Sequence, residues 1–326
     1  MLKLNMNAAE IKSEIERLNP WYSTIELYPE VFTNGYMLNN IGLTRDLLRR
    51  SAVKGTNCLD IGAMEGVLSI LLKRQGAMNV VAVDGDNRSR KMPLLQATYG
   101  VEFQYIGNLA LHNTLDYLLN KSRLYAVGKC PYRFGFDIVV LSGVLYHVYS
   151  PMHVLAMARS CLKEGGLMII ETAAINEPTY SMRYNFTGKG YLYGWTDTWF
   201  MDVPLLDYLC RFLKLEPLDC VYSATPHKLC PNLIRIGVVC RAVDKILNTT
   251  GDNTMVESSF NYDYNTLIRH DLTTEKISVP IPFEVAENGL SKREDIHTCD
   301  LYATINKRKP MALNENHAVL KLADIY

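Results

Sequence analysis

The chain has 326 residues, 48% hydrophobic and 21% charged, which is the balance of a globular protein with a sizeable core and length for roughly two domains. Its 34 Lys and Arg are cancelled by 34 Asp and Glu, so no overall field draws it to nucleic acid or to an anionic membrane. Residues 1–18 mix charges without an apolar core and no later stretch has the apolar length of a membrane span, so neither a signal peptide nor a membrane protein is expected, and the cytoplasm is the expected location.

Ile11, Ile15 and Leu18 recur at helical spacing, and Asn19-Pro20 ends that first helix. Residues 21–40 are aromatic and broken by Pro29 and Asn34-Gly35, which predicts a loop or short-strand lid before a helix over 43–50. Residues 57–61 form a short buried strand, 67–75 a helix stopped by Gly76, and 79–83 a second apolar strand. A helix over 88–99, a strand over 102–106, a helix over 109–119 and a strongly apolar strand over 137–141 follow. Beyond Pro151 come a helix over 152–162, a turn over 163–166 and a strand over 167–171. A helix over 204–214 and a closing hairpin, 218–223 with 234–241, complete the series.

Such alternation predicts an α/β fold: a Rossmann-like, doubly wound and mostly parallel sheet. Residues 1–50 are its helical lead-in and lid, and 51–243 the ligand-binding domain. A polar run at 248–254 marks the start of a small β-rich appendage over 244–326, with short strands expected at 277–283, 300–305 and 318–323. This appendage would cap the site or form a homodimer. The eight cysteines include no C-x-x-C pair and no Cys/His cluster, so they read as reduced and mostly buried, and no metal is expected.

Asp60-Ile61-Gly62-Ala63-Met64-Glu65-Gly66 lies where a buried strand turns into a helix, and its G-x-x-x-G spacing differs from the G-x-G-x-x-G of a pyrophosphate site. Asp60 ahead of the loop suits a ligand that has an ammonium group and no phosphate, and S-adenosylmethionine is such a ligand. Asp84, with Gly85 behind it, ends the next strand where an acid accepts ribose hydroxyls. Asn108 after the third strand is placed for an adenine amino group, and Ser142 and Gly143 after the fourth for the methionine half. Each has a plainer reading as a turn or a helix cap; the four in strand order are harder to explain that way.

The runs Cys58 to Gly66, Val81 to Asp84 and Phe136 to His147 resemble class I methyltransferases. Gly143-Val144-Leu145-Tyr146-His147, then Ser150-Pro151, Leu162 to Gly166 and Glu171-Thr172, resemble more narrowly the tRNA wobble-uridine methyl- and carboxymethyltransferase-like group, over about two-thirds of the chain. The resemblance implies S-adenosylmethionine as cofactor. In the tRNA enzymes a tyrosine and an arginine grip a carboxylated cofactor, and Tyr146 and Arg235 stand at the matching positions. Their lead-in also carries a basic residue after Pro-Trp, whereas this chain reads Pro20-Trp21-Tyr22-Ser23-Thr24, which favours the ordinary cofactor.

For chemistry, His147 is the expected proton acceptor and Tyr146 an orienting hydroxyl, with a capping or core role for His147 as the alternative. Glu171 and Thr172 at a strand end read as substrate contacts or as caps, and Trp199 in a ring-rich segment over 180–200 and Arg235, as a carboxylate clamp or a surface ion pair, are further expected substrate contacts. The ring-rich segment reads as a cover over the acceptor or as a packing seam. The function expected is methyl transfer to an oxygen or nitrogen of a small molecule, with tRNA wobble-uridine modification as the alternative. A non-catalytic binding module is the third reading.

Overall fold

The computed structural model describes residues 6–35, 41–110, 135–185, 199–243, 276–286, 290–292, 298–314, 317 and 319–324. Helix α1 (Ala8–Arg17) starts with a capping box, in which Asn7 accepts from the Glu10 backbone N–H and Glu10 accepts from that of Asn7, and it buries Ile11 and Ile15. Two short strands, β1 (Thr24–Tyr28) and β2 (Val31–Phe32), and helix α2 (Gly42–Arg49) complete the lead-in.

The parallel strands are β3 (Asn57–Ile61), β4 (Asn79–Val83), β5 (Gln104–Ile106), β6 (Phe136–Ser142) and β7 (Leu162–Ile175), with α3 (Val67–Arg74), α4 (Met92–Tyr99) and α5 (Pro151–Ser160) between them. Two short strands, β8 (Met182–Tyr184) and β9 (Trp199–Asp202), lie beside the end of β7. Then come α6 (Val203–Phe212), β10 (Leu215–Ala224) and β11 (Leu233–Ala242). Hydrogen bonding orders the main sheet β10-β11-β7-β6-β3-β4-β5. Along that row of seven, β11 runs against the others, wedged between β7 and β10, while β9 joins the same sheet parallel to β7 and β8 pairs antiparallel to β9. The chain winds outward from β3 through β4 to β5 and then returns to β6 on the other side, so the order reverses between β3 and β6. In open α/β sheets ligands bind at that reversal, outside the carboxyl ends of the strands.

Period-two alternation along the strands divides the interior into two layers. Leu59, Ile61, Val81, Val83, Val139, Leu141, Met168 and Ile170 face α5 and α6. Cys58, Val80, Ala82, Ile138, Val140, Leu167 and Ile169 face α1, α2, α3 and α4. Strands buried on both faces read as continuous apolar runs.

The structure departs from expectation in three places. The turn expected at 163–166 is absorbed into β7, whose pairing with β6 shifts register between Phe136 and Ile138 and which runs on to Ile175. Glu171 and Thr172 therefore lie inside a strand and are buried, instead of ending one. Residues 300–305, expected as a strand, belong to helix α7 (Leu301–Lys307): Asp300 caps it by accepting from the Ala303 N–H, and Leu301, Thr304 and Ile305 recur at helical spacing on its buried side. At 277–283 only isolated bridges at its edges appear, Glu164 with Lys276 and Ser51 with Phe283. Strand β12 (Val319–Leu320) does form and pairs with β1. The helix expected over 109–119 falls almost wholly outside the described residues, as do Phe186, Tyr191, Tyr193 and Trp195 of the ring-rich segment.

The described tail does not stand apart from the body. Leu301 and Ile305 join one core layer and Leu320 the other. The buried carboxylate of Asp219 on β10 accepts from Arg50 Nη1 of the lead-in (2.5 Å) and Arg308 Nη1 of the tail (2.5 Å), tying both ends of the chain to the sheet edge. Among the described residues no helix is long and apolar enough to cross a membrane.

Candidate functional site

The loop after β3 occupies the reversal point. Gly62 sits at φ +79°, and a Cβ there would come within 2.3 Å of Val144 Cγ2, so the loop after β3 and the loop after β6 are packed too closely for a side chain. Met64 in the same loop donates its N–H to Asp84 Oδ2 (2.7 Å), while Asp86 donates to Asp84 Oδ1 (2.8 Å). Asp84 thus ties the end of β4 to the glycine loop, and burial raises its carboxyl pKa against those two N–H bonds. Gly66 caps α3, Gly85 is exposed beyond Asp84, and Asn108 is exposed at φ +57° after β5. The main chain joins this third loop to the second, because Leu109 N–H donates to the Asp84 carbonyl (3.0 Å).

Asp60 lies deeper than a ligand-facing acid was expected to lie. Its side chain is fully buried, Oδ2 accepts from Ser69 Oγ of α3 (2.6 Å), and Oδ1 has no hydrogen-bond partner among the described residues. Loss of hydration pushes its pKa up to about 7. A desolvated carboxylate with one unanswered oxygen, beside a glycine loop at the reversal, fits a cationic group: a nearby positive charge would stabilise its ionised form.

Glu65, in the same loop, was not singled out from the sequence. It is fully buried and accepts from the Tyr22 N–H (2.9 Å), the Ser23 N–H (3.3 Å) and Lys91 Nζ (2.9 Å), so the lead-in is seated directly on the loop. Lys91 in turn lies 4.4 Å over the Trp21 ring. An acid inside an otherwise small and apolar loop was the available signal.

At the end of β6, Ser142 Oγ is hydrogen-bonded to Thr44 Oγ1 of α2 (2.8 Å), and Gly143 turns at φ +72°. A Cβ on Gly143 would lie 3.7 Å from the Tyr146 hydroxyl and 4.0 Å from Glu171 Oε2. The sheet thereby brings four expected residues together, since Arg235 on β11 clamps Glu171 with two hydrogen bonds of 2.7 and 2.6 Å and lies 4.6 Å over the Tyr146 ring. The carboxylate expected on Arg235 therefore comes from within the chain, and the pair is buried where a surface pair was the alternative. Burial also drives the Tyr146 hydroxyl pKa upward, against the lowering effect of the Arg235 cation beside it.

His147 is exposed, its ring 4.1 Å from that of Tyr146. Trp199 stands apart from the cluster, donating from Nε1 to the Tyr149 carbonyl (2.9 Å) with its ring edge-on to Tyr184. Beside the Glu171–Arg235 pair a cavity of about 480 Å³ opens between the sheet edge and residues 310–313. Among the described residues no cluster of three or more His, Cys, Asp or Glu has the geometry to hold a metal.

Residues 38–208 match a family model described as a methyltransferase domain. A ubiquinone biosynthesis O-methyltransferase of Dinoroseobacter shibae is 30% identical over 182 residues, covering 54% of this chain and 66% of the relative. The chain thus spans just under two thirds of the length of that relative. A tRNA U34 carboxymethyltransferase of Dichelobacter nodosus is 28% identical over 163 residues, 50% of this chain and 46% of that one. Among solved structures, the N-terminal domain of EvdMO1 with SAH bound aligns with TM-score 0.52 and 20% identity over 73% of this chain and 98% of that one, a likeness of fold.

Proposed function

The chain belongs to the methyltransferase-domain family, and from that premise we propose that it transfers a methyl group from S-adenosylmethionine to an oxygen or nitrogen of a compact small-molecule acceptor. One observation carries the reading: the glycine loop after β3, cross-tied to Asp84, stands at the reversal of strand order with the unanswered Asp60 oxygen behind it. Gly62, Gly66, Asp84, Gly85, Asn108, Ser142 and Gly143 are the residues that would hold the cofactor, with Asp60 supplying charge for its ammonium group. When bound, S-adenosylmethionine supplies a methyl group on a sulfonium that departs as a neutral thioether.

The chain's own residues then have alignment as their main task. Tyr146, kept protonated by its burial, orients the acceptor by donating a hydrogen bond. His147, exposed at the rim, takes the proton that the acceptor oxygen or nitrogen releases as the new bond to carbon forms. Glu171 holds Arg235, and Trp199 shapes the approach.

A tRNA acceptor with a carboxylated donor is the second reading, favoured by the Dichelobacter nodosus relative. Against it stands Glu171: a carboxylated donor seeking Arg235 would have to displace a buried, two-bonded carboxylate. Zero net charge also supports the small-molecule reading, since a tRNA-docking face is basic. A cytoplasmic enzyme accords with seven buried, unpaired cysteines among the described residues. A homodimer through the tail remains part of the proposal and is read out by sedimentation.

The test is direct. S-adenosylmethionine at about 100 times its Kd should stabilise the protein by about 2.7 kcal/mol, read as a rise in Tm; no rise at millimolar cofactor would leave only a non-catalytic module. His147→Ala should keep cofactor affinity and lower kcat at least about tenfold. Full turnover in that variant would remove His147 from the mechanism.

A further inference from the structure

We propose that the cavity between the β10–β11 rim and residues 310–313 is the acceptor pocket, that it selects an uncharged, hydroxyl-bearing molecule, and that Ser223 and Met311 set this specificity. The inference rests on the methyl-transfer reading and names the substrate class of that site. The cavity's volume, about 480 Å³, is that of a small-molecule site. It starts where the donor loops end, because Glu171, one of its lining residues, has Oε2 within 4.0 Å of the Cβ position of Gly143.

The charge of its lining is already cancelled. Glu171 and Arg235 satisfy each other through two short hydrogen bonds, so a charged ligand would lose its hydration and meet a neutral pair. Leu43, Met311 and Leu313 supply apolar walls. Ser223, directly across from Arg235 in the β10–β11 register, lines the same cavity; it is 4% exposed, and its Oγ has no hydrogen-bond partner among the described residues. Buried hydroxyls are normally paired, and a ligand hydroxyl in this cavity would supply the missing partner.

The wall formed by the tail is built into the fold. Met311 donates its N–H to the Tyr222 carbonyl (2.7 Å), the Tyr222 hydroxyl donates to the Arg308 carbonyl (2.9 Å), and Arg308 is held by Asp219. On the other side Leu313 presses on the start of α2, with Cδ2 2.7 Å from the Cβ position of Gly42. The pocket therefore has a preformed shape.

Titration calorimetry of the full chain, loaded with S-adenosylhomocysteine, with 2-naphthol and with its anionic counterpart 2-naphthoate, tests this. The neutral naphthol should bind at least about tenfold more tightly than the carboxylate. Ser223→Ala should weaken naphthol about fivefold, in the range of one neutral hydrogen bond. Met311→Trp, which fills the cavity, should weaken it more than about twentyfold, while S-adenosylhomocysteine affinity, the control for folding, stays unchanged in both. Equal naphthol binding by wild type and Met311→Trp, preference for the carboxylate, or no naphthol binding at all would overturn the pocket. Failure of the wild type to bind S-adenosylhomocysteine would instead overturn the methyl-transfer reading, and naphthol titrated into the unloaded chain would still decide the pocket.

Discussion

Glu171→Ala is expected to destabilise the protein by about 3–5 kcal/mol, because it strands the Arg235 guanidinium in a buried site with its carboxylate removed. At this chain length that is a fall in Tm of roughly 4–7 °C. The pair has little intrinsic value as a source of stability, since its Coulombic gain is spent against the desolvation of both groups. The double variant Glu171→Leu with Arg235→Met should therefore recover most of the loss in chemical denaturation, yet remain inactive, because Tyr146 loses the cation that lies over its ring. If the single variant unfolds within about 1 kcal/mol of wild type, water reaches the guanidinium and the pair is not buried in solution. A stable double variant with full turnover would separate the pair from the chemistry altogether.

Much of the fold was legible because its strands are buried on both faces and therefore read as short apolar runs between turn residues. Asn57–Ile61, Asn79–Val83 and Phe136–Ser142 are such runs. The glycine loop was legible from its position between a strand and a helix. What sequence could not convey was depth and partnership. Asp60 and Asp84 look alike as acids at strand ends, yet one is sealed behind the loop against Ser69 and the other is bonded by two backbone N–H groups. Arg235 and Glu171 are 64 residues apart, and only the insertion of β11 antiparallel to β7 makes them diagonal neighbours, Arg235 pairing with Ala173 and Glu171 with Gly237. Residues 300–305 suit a strand or a helix because so short an apolar-polar mixture supports either period; the Asp300 cap and the contact with α6 decide for the helix at 301–307. Glu65 was passed over because its partners, Tyr22, Ser23 and Lys91, come from segments remote in sequence.

Cofactor affinity should depend on pH through Asp60. The folded-state pKa of this carboxyl is about 7, well above the ordinary value of 3.8, because burial disfavours the charged form. An acid shifted in this direction contributes no penalty below its unfolded pKa; the penalty grows as pH rises through the interval and is complete above about 7. The full shift corresponds to something on the order of 4 kcal/mol of lost stability in the ligand-free protein at alkaline pH. Asp60→Asn should accordingly unfold at higher denaturant than wild type at pH 8, and at nearly the same denaturant at pH 4. A bound ammonium group reverses the balance by favouring the ionised carboxylate, so binding expels a proton below pH 7. S-adenosylhomocysteine, which carries the same ammonium group, should bind with constant affinity above about pH 7 and weaken towards tenfold per unit below it. Asp60→Asn should bind it about 100-fold more weakly at pH 8 and without that slope, as expected for loss of a charge pair away from bulk water. A pH-independent affinity in the wild type, alongside the predicted stability trend, would make Asp60 a partner of Ser69 alone and leave the ammonium group to be held by other residues.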